Sequence, residues 1–383
     1  MTKPKILILT SNYGSGHLQV ASSLENQFNQ MGNHSIIVKD LIYETSPKLN
    51  EWTRKAYLKS YTASGRHLYR IFYYSSMKMS KKKNLKVLCY GYSKLKKIIL
   101  EERPDIIINT FPFFAAPFLQ NKMKVYIPTY NVITDYCLHD LWYHPQIHKY
   151  YVASRHLESK LIALGVKDNQ VAVTGIPVKE AFEKPLSRER LVKEYGLDHT
   201  KKNVLVVAGA YGVSKGIQQI CSLLSMDKDT QLLIVCGKNN DLYRQMSLSY
   251  ENEKNVKVFS YVNNMEELLK VSDCIITKPG GVILSEALAT NTPLILPKAT
   301  PGQEKENAKF FQQIGAAIWE ENPSRLCMLT RELICNETKL LEMKHAMEKL
   351  YRPNSSKKIA MDILTDYHNH YNIPPLMKHV EEV

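Results

Sequence analysis

Short apolar runs, each followed by a stretch of helical periodicity, recur along this chain in two successive series. No other feature limits the fold as tightly. The first series comprises 5–10, 35–41, 105–110, 125–134, 149–153 and 171–175. The second comprises 203–208, 231–236, 256–259, 273–277 and 293–297. Continuous apolar strands separated by helices are the pattern of parallel sheets covered on both faces. Two series of similar size predict an α/β protein of two doubly wound, Rossmann-like domains facing each other across a cleft. Residues 177–202 are charged and hold two prolines, as an interdomain linker does. The predicted division is 1–176, linker 177–202 and 203–383, with charged helices and no further strand after about residue 320. A length of 383 residues also favours two domains over one.

Strand 5–10 empties into "SNYGSGHLQV", residues 11–20. Gly14 and Gly16 permit a sharp turn with positive φ and leave no side chain between backbone and guest. Leu18, Ala21, Leu24 and Phe28 then recur at helical spacing, which places His17 in the first turn of a helix. Free N–H groups and the positive dipole end lie there. The second series opens in the same way. "AGAYGVSKG", 208–216, brings Gly209, Gly212 and Gly216 with Ser214 and Lys215 to a helix start, a cradle for phosphate oxygens.

The most telling stretch is 277–311, "TKPGGVILSEALATNTPLILPKATPGQEKENAKFF". Pro279-Gly280-Gly281 opens a helix whose N-terminus suits a diphosphate. Glu286, about one and a half turns in, suits the diol of a ribose. A short strand then delivers Gln303 and Glu304, an amide and a carboxylate suited to sugar hydroxyls.

Other readings have weaker support. Gly14-x-Gly16 begins a dinucleotide fingerprint, but Gln19 stands where the third glycine belongs; Asp40, ending the second strand, is placed to hold a ribose. No GxxxxGK[ST] occurs, which excludes a P-loop nucleotidase. Seven cysteines are scattered singly without a C-x-x-C pair, as reduced core thiols of a cytosolic protein are. No apolar run approaches the roughly 18 residues of a membrane span. Residues 6–9 are also too short for a signal-peptide core of about 7–15. The chain is therefore expected to stay inside the cell without crossing a bilayer.

The net charge of +14 is concentrated. Residues 50–97 hold thirteen Lys or Arg against one acid, Glu51, with Trp52 and eight aromatic rings from Tyr57 to Tyr92 threaded among them. Such a stretch suits an anionic membrane surface, single-stranded nucleic acid, or simply a solvated helix face whose tyrosines enter a core.

Taken together, "GSGH", "AYGVSKG" and "KPGGVILSEAL…P…PGQEKEN" resemble the family 28 glycosyltransferases. Among these they are most similar to the diacylglycerol sugar transferases, both the bacterial processive β-glucosyltransferases and the plant monogalactosyldiacylglycerol synthases. "VITDYCLHDLW", 132–142, resembles the family's T-D segment. The plant enzymes read Gly-Gly-Gly-His-Arg where this chain has Gly14-Ser-Gly16-His17-Leu18, so donor and acceptor preference stay open.

The resemblance implies a GT-B fold and a metal-independent, inverting transfer by a peripheral enzyme at the cytoplasmic face of the cell membrane. It implies UDP-glucose as donor and diacylglycerol as acceptor, for membrane glycolipids and lipoteichoic acid anchors, with anionic lipids as partners and nucleic acid not expected. His17, with an ordinary pKa near 6.5, is then the general base; Asp135 orients it or the acceptor, or is itself the base. Gly209, Tyr211, Gly212, Ser214, Lys215, Pro279, Gly280, Gly281, Glu286, Gln303, Glu304 and Asn307 hold the UDP-sugar. Gly14, Gly16, Trp142, Lys81, Lys82, Lys83 and Lys86 face acceptor and membrane. A UDP-galactose donor, a UDP-N-acetylglucosamine transferase acting on an undecaprenyl-linked precursor, and a UDP-sugar 2-epimerase remain alternatives. Outside catalysis, a UDP-sugar sensor or a nucleic-acid-binding protein remains.

Overall fold

A computed structural model describes residues 3–12, 14–46, 71, 73, 91–113, 115–209 and 216–371. Tyr211, Gly212, Ser214, Lys215, Lys81, Lys82, Lys83 and Lys86 lie outside the described residues. The described chain forms two all-parallel sheets of six strands each. The first contains β1 (Ile6–Thr10), β2 (Ile36–Asp40), β3 (Ile106–Asn109), β4 (Thr129–Val132), β5 (Lys149–Val152) and β6 (Val171–Val173), in the order β2-β1-β3-β4-β5-β6. The second contains β7 (Lys202–Val207), β8 (Thr230–Val235), β9 (Val256–Phe259), β10 (Cys274–Thr277), β11 (Leu294–Leu296) and β12 (Ala317–Trp319), in the order β12-β11-β10-β7-β8-β9. Strand β12 is an addition to the sequence reading; it pairs with β11 from Leu294↔Ala317 to Leu296↔Trp319.

The helices among the described residues of the first half are α1 (Ser15–Gln30), α2 (Leu41–Thr45), α3 (Tyr92–Glu102), α4 (Ala115–Met123) and α5 (Arg155–Ala163). Then come α6 (Arg188–Glu194), α7 (Ile217–Ser225), α8 (Asn240–Ser249), α9 (Met265–Val271), α10 (Gly281–Thr290), α11 (Gln303–Gln313), α12 (Pro323–Cys335), α13 (Glu337–Leu350) and α14 (Ser355–Tyr371).

Strand β1 shows why both faces are covered. Successive side chains alternate sides, so Ile6 and Ile8 pack with Leu24 and Phe28 of α1, while Leu7 and Leu9 pack with Leu95, Ile98 and Ile99 of α3. All four strand residues are fully buried. Full burial of each such side chain is worth about 1.5–3 kcal/mol.

In the first sheet the strand order reverses between β1 and β3, and in the second between β7 and β10. Loops at the carboxyl ends of strands beside such a reversal form the crevice where open α/β sheets bind ligands. His17 follows β1, Thr110 follows β3, Gly209 follows β7 and Lys278 follows β10. Both reversal points therefore supply residues to the site.

The last helix departs from the division read in the sequence. Helix α14 returns to the first sheet, where Tyr151 donates to Asp362 at 2.7 Å, Tyr130 donates to Asp366, and His148 pairs with Asp366 at 2.6 Å. Buried phenols need acceptors, and these lie on the far end of the chain. The polypeptide thus passes between the halves twice, near Gly175 and near Arg352. The passages touch, with Ser355 Oγ donating to the Gly175 carbonyl at 2.9 Å.

Candidate active site

Helix α1 starts as the spacing of its apolar residues predicts, but the glycines before it act differently from the expectation. Gly14 is extended (φ 172°) and Gly16 lies within the helix, so neither uses the left-handed region. What Gly16 provides is nearness: a Cβ there would sit 3.2 Å from Val282 Cγ2 of α10. Gly281, the first residue of α10, is closer still to the other half. A Cβ on it would overlap the Thr134 carbonyl oxygen and stand 2.9 Å from that carbonyl's carbon and 3.0 Å from Asp135 Cα. The two halves meet at these glycines.

His17 is held by its own half. Its Nδ1 lies 2.8 Å from the Thr110 carbonyl oxygen and 3.0 Å from Thr134 Oγ1. A carbonyl only accepts, so Nδ1 carries the proton and Nε2 keeps its lone pair. Phe111 meets the ring edge to face at 5.0 Å. Burial pushes the imidazole down to about 4, against the opposing pull of the Thr110 carbonyl. The ring is neutral at physiological pH, with one basic nitrogen.

Asp135 faces the other way. Among the described residues its side-chain donors are Gln303, whose amide donates to Oδ2, and Asn307, which donates to Oδ1 at 3.1 Å; none joins it to His17. Burial pushes its carboxyl up to about 7, partly offset by these two amides; the Glu304 charge raises it further and the Gly281 N–H lowers it. The expected partnership of Asp135 with His17 is replaced by one with α11 of the second half.

Asn307 is fully buried and its polar atoms are engaged within the protein. It donates to Asp135 and to the Pro279 carbonyl (3.0 Å) and accepts from Tyr136 N (3.0 Å). It is therefore a brace between halves rather than the donor-sugar contact expected of it. Tyr136 Oη and Ser285 Oγ, 2.8 Å apart, add a second bridge.

Glu304 accepts from Thr300 N at 2.9 Å and stands 3.8 Å from Lys278 Nζ. Lys278, which the sequence reading passed over, lies against the glycine turn after β7: a Cβ on Gly209 would come within 2.9 Å of its Cε. Burial lowers its ammonium pKa, with Glu304 opposing. Its position directly before Pro279-Gly280-Gly281 was the available signal.

Glu286 is buried on α10, 5% exposed, and among the described residues no hydrogen bond reaches its carboxyl. An ionised carboxylate without donors is costly to bury, and burial accordingly pushes this group up to about 8, with Lys179 pulling the other way.

Two further expectations change. Trp142 is 3% exposed in the core of the first half, and its carbonyl accepts from Asn131, so its ring does not face acceptor or membrane. Asp40 accepts from Asn12 N, Ile42 N and Tyr43 N as the cap of α2, a structural duty that removes it from ribose binding. From the basic, aromatic stretch, Tyr73 is buried against the start of α11, where a Cβ on Gly302 would be 2.9 Å from its ring. No group of three His, Cys, Asp or Glu among the described residues is arranged to hold a metal ion.

Two parallel six-stranded sheets whose reversal points supply one shared site define the GT-B fold. Solved structures share this fold. MnaA of S. aureus, determined with UDP, superimposes with a TM-score of 0.64 at 16% identity, covering 97% of this chain and 99% of its own. MurG of Acinetobacter baumannii gives 0.61 at 15%, covering 94% and 99%.

Residues 17–178 match the monogalactosyldiacylglycerol (MGDG) synthase family, and 203–361 match the glycosyltransferase family 28 C-terminal domain. The chain belongs to glycosyltransferase family 28. A processive diacylglycerol beta-glucosyltransferase of Bacillus cereus is 42% identical over 375 residues, 97% of this chain and 96% of the relative. The Bacillus anthracis protein of the same name matches at 42% over the same shares.

Proposed function

We propose that this chain transfers glucose from UDP-glucose to the 3-hydroxyl of 1,2-diacylglycerol, with inversion at the anomeric carbon, and can repeat the transfer on its product. The observation that carries the reading is His17: a neutral imidazole with its tautomer set by Thr110, standing where the two halves meet. The acceptor oxygen attacks the anomeric carbon as its proton passes to His17 Nε2. The bond from that carbon to UDP breaks, and UDP leaves with the bonding electrons. The start of α10 and Lys278 balance the charge that develops on the departing diphosphate, without requiring a metal.

Gln303 and Glu304 take the hexose hydroxyls, so Gln303 exchanges Asp135 for the sugar when donor enters. Purified protein, labelled UDP-sugars and diacylglycerol in mixed micelles, with and without EDTA, test this reading. Glucosylated lipid that forms equally in both conditions is expected. Product only from UDP-galactose, or only with free divalent metal, overturns the donor or the metal-free assignment respectively.

Glu286 receives the ribose diol. Its carboxyl binds a proton below about pH 8 in the free protein, whereas two hydroxyl donors favour the ionised form. UDP binding therefore expels a proton at neutral pH, and affinity rises with pH up to about 8 before levelling. Calorimetry in two buffers of different ionisation enthalpy measures the release, and Glu286→Gln abolishes it. A buffer-independent heat at pH 7 refutes the ribose assignment. Gln303→Ala and Glu304→Ala should weaken UDP-glucose far more than UDP, and equal losses for both ligands would end the division of roles.

No helix among the described residues is long and apolar enough to cross a membrane. The proposal places the enzyme peripherally on the cytoplasmic face because its acceptor is a membrane lipid and its donor a water-soluble nucleotide sugar. The basic, aromatic stretch 50–97 meets anionic lipid there, at about 1 kcal/mol for each Lys or Arg near the surface.

A further inference from the structure

A cavity of about 770 Å³ opens between the halves, separate from the His17 site, where the start of α5 faces α11 and α13. We propose that it binds a single-chain amphiphile with a phosphate monoester head.

The head meets the α5 end. Ser154, the residue before the helix, is 4% exposed, and its hydroxyl finds no hydrogen-bond partner among the described residues. It lines the cavity at a helix N-terminus whose first N–H groups favour anions. Arg155 beside it, Lys349 and Arg352 add three cations, against one acid, Glu342. None of these cations forms an ion pair among the described residues; Arg352 donates only to backbone carbonyls. A dianionic monoester matches this excess, and it offers oxygens to the unpartnered serine.

The alkyl chain has an apolar wall within the same cavity. Phe310, Ile314 and Leu341 line it, and Leu341 and Ile314 are 58% and 36% exposed, high values for large apolar side chains. The volume, about 770 Å³, lies within the range of small-molecule sites and suits one alkyl chain. Phe310 also connects this cavity to the active site, stacking on His156 at 5.4 Å and on Tyr136 at 5.9 Å. A ligand here touches both halves and favours the arrangement in which they meet.

The test is calorimetric titration of the full-length protein with dodecyl phosphate below its micelle-forming concentration, where one saturable site is expected. The double change Arg155→Gln with Lys349→Gln should weaken binding at least tenfold. Leu341→Glu, which puts a carboxylate in the alkyl wall, should do the same. Inorganic phosphate and dodecyl maltoside, each half of the ligand, should bind at least tenfold more weakly than dodecyl phosphate. Thermal melting and UDP binding verify that the variants are folded. The proposal stands only if both variants lose affinity. Unchanged binding in either one, or dodecyl maltoside binding as tightly as the phosphate, overturns it and moves the amphiphile elsewhere, the basic stretch 50–97 included.

Discussion

Replacing His17 by alanine is expected to lower glucosyl transfer by about 10²–10⁴-fold, the usual worth of general acid–base catalysis, while UDP affinity stays within a few-fold of the parent. The two readouts separate because the imidazole is anchored to Thr110 and Thr134 of the first half, whereas the nucleotide is assigned to the second. The pH profile carries the same signature. Burial holds the imidazole near 4, below its ordinary value of 6.5. The acid limb of kcat/KM that belongs to the base should therefore fall near pH 4, and activity at pH 5.5 should not yet be lost through this group. Near-normal turnover in His17→Ala would remove the ring from the mechanism and leave Asp135 as the remaining candidate base.

Gly281→Ala should be nearly as damaging, for a different reason. Gly281 opens α10 without a left-handed φ, and alanine is the better helix former, so α10 itself does not resist the change. Its methyl group, however, would stand 2.9 Å from the Thr134 carbonyl carbon, where non-bonded carbons prefer about 3.5–4.0 Å. Only backbone lies opposite, so the halves must separate by roughly 1 Å, a misplacement that can cost about 10²-fold in rate. Transfer should drop by that order, and the melting temperature should fall as the Asn307–Asp135 and Tyr136–Ser285 bridges stretch, while UDP, assigned to the second half alone, binds within a few-fold of the parent. Full activity in Gly281→Ala would mean that turnover does not need the halves this close.

These two residues also show what sequence alone reveals. The strands were legible because buried parallel strands are continuous apolar runs, as in Ile6–Leu9 and Val204–Val207. Strand β12 was missed because three residues leave no periodicity to read. Helix α1 and the place of His17 followed from helical spacing, which is local. Long-range partners are not local. Thr110 is 93 residues from His17, and Asn307 is 172 from Asp135; nothing in the neighbourhood of either announces its partner. The same gap misread the glycines. A GSG sequence reads as a turn, yet Gly16 and Gly281 are small because another segment passes beside them. Trp142 followed the same course: in an open stretch it reads as a surface anchor, and folding puts it in the core.

The double passage of the chain near Gly175 and Arg352 bears on how such enzymes can be recombined. A chimera that takes everything after residue 202 from a relative would also replace α14, leaving Tyr130, Tyr151 and His148 against a foreign helix in place of Asp362 and Asp366. The exchangeable donor cassette is the interior segment between the two passages, roughly Val178 to Tyr351, grafted through both junctions at once. Tyr351 donates to Glu183 at 2.9 Å, and Asn354 N donates to the same carboxylate at 2.7 Å. Each junction must therefore travel with its partner across the seam.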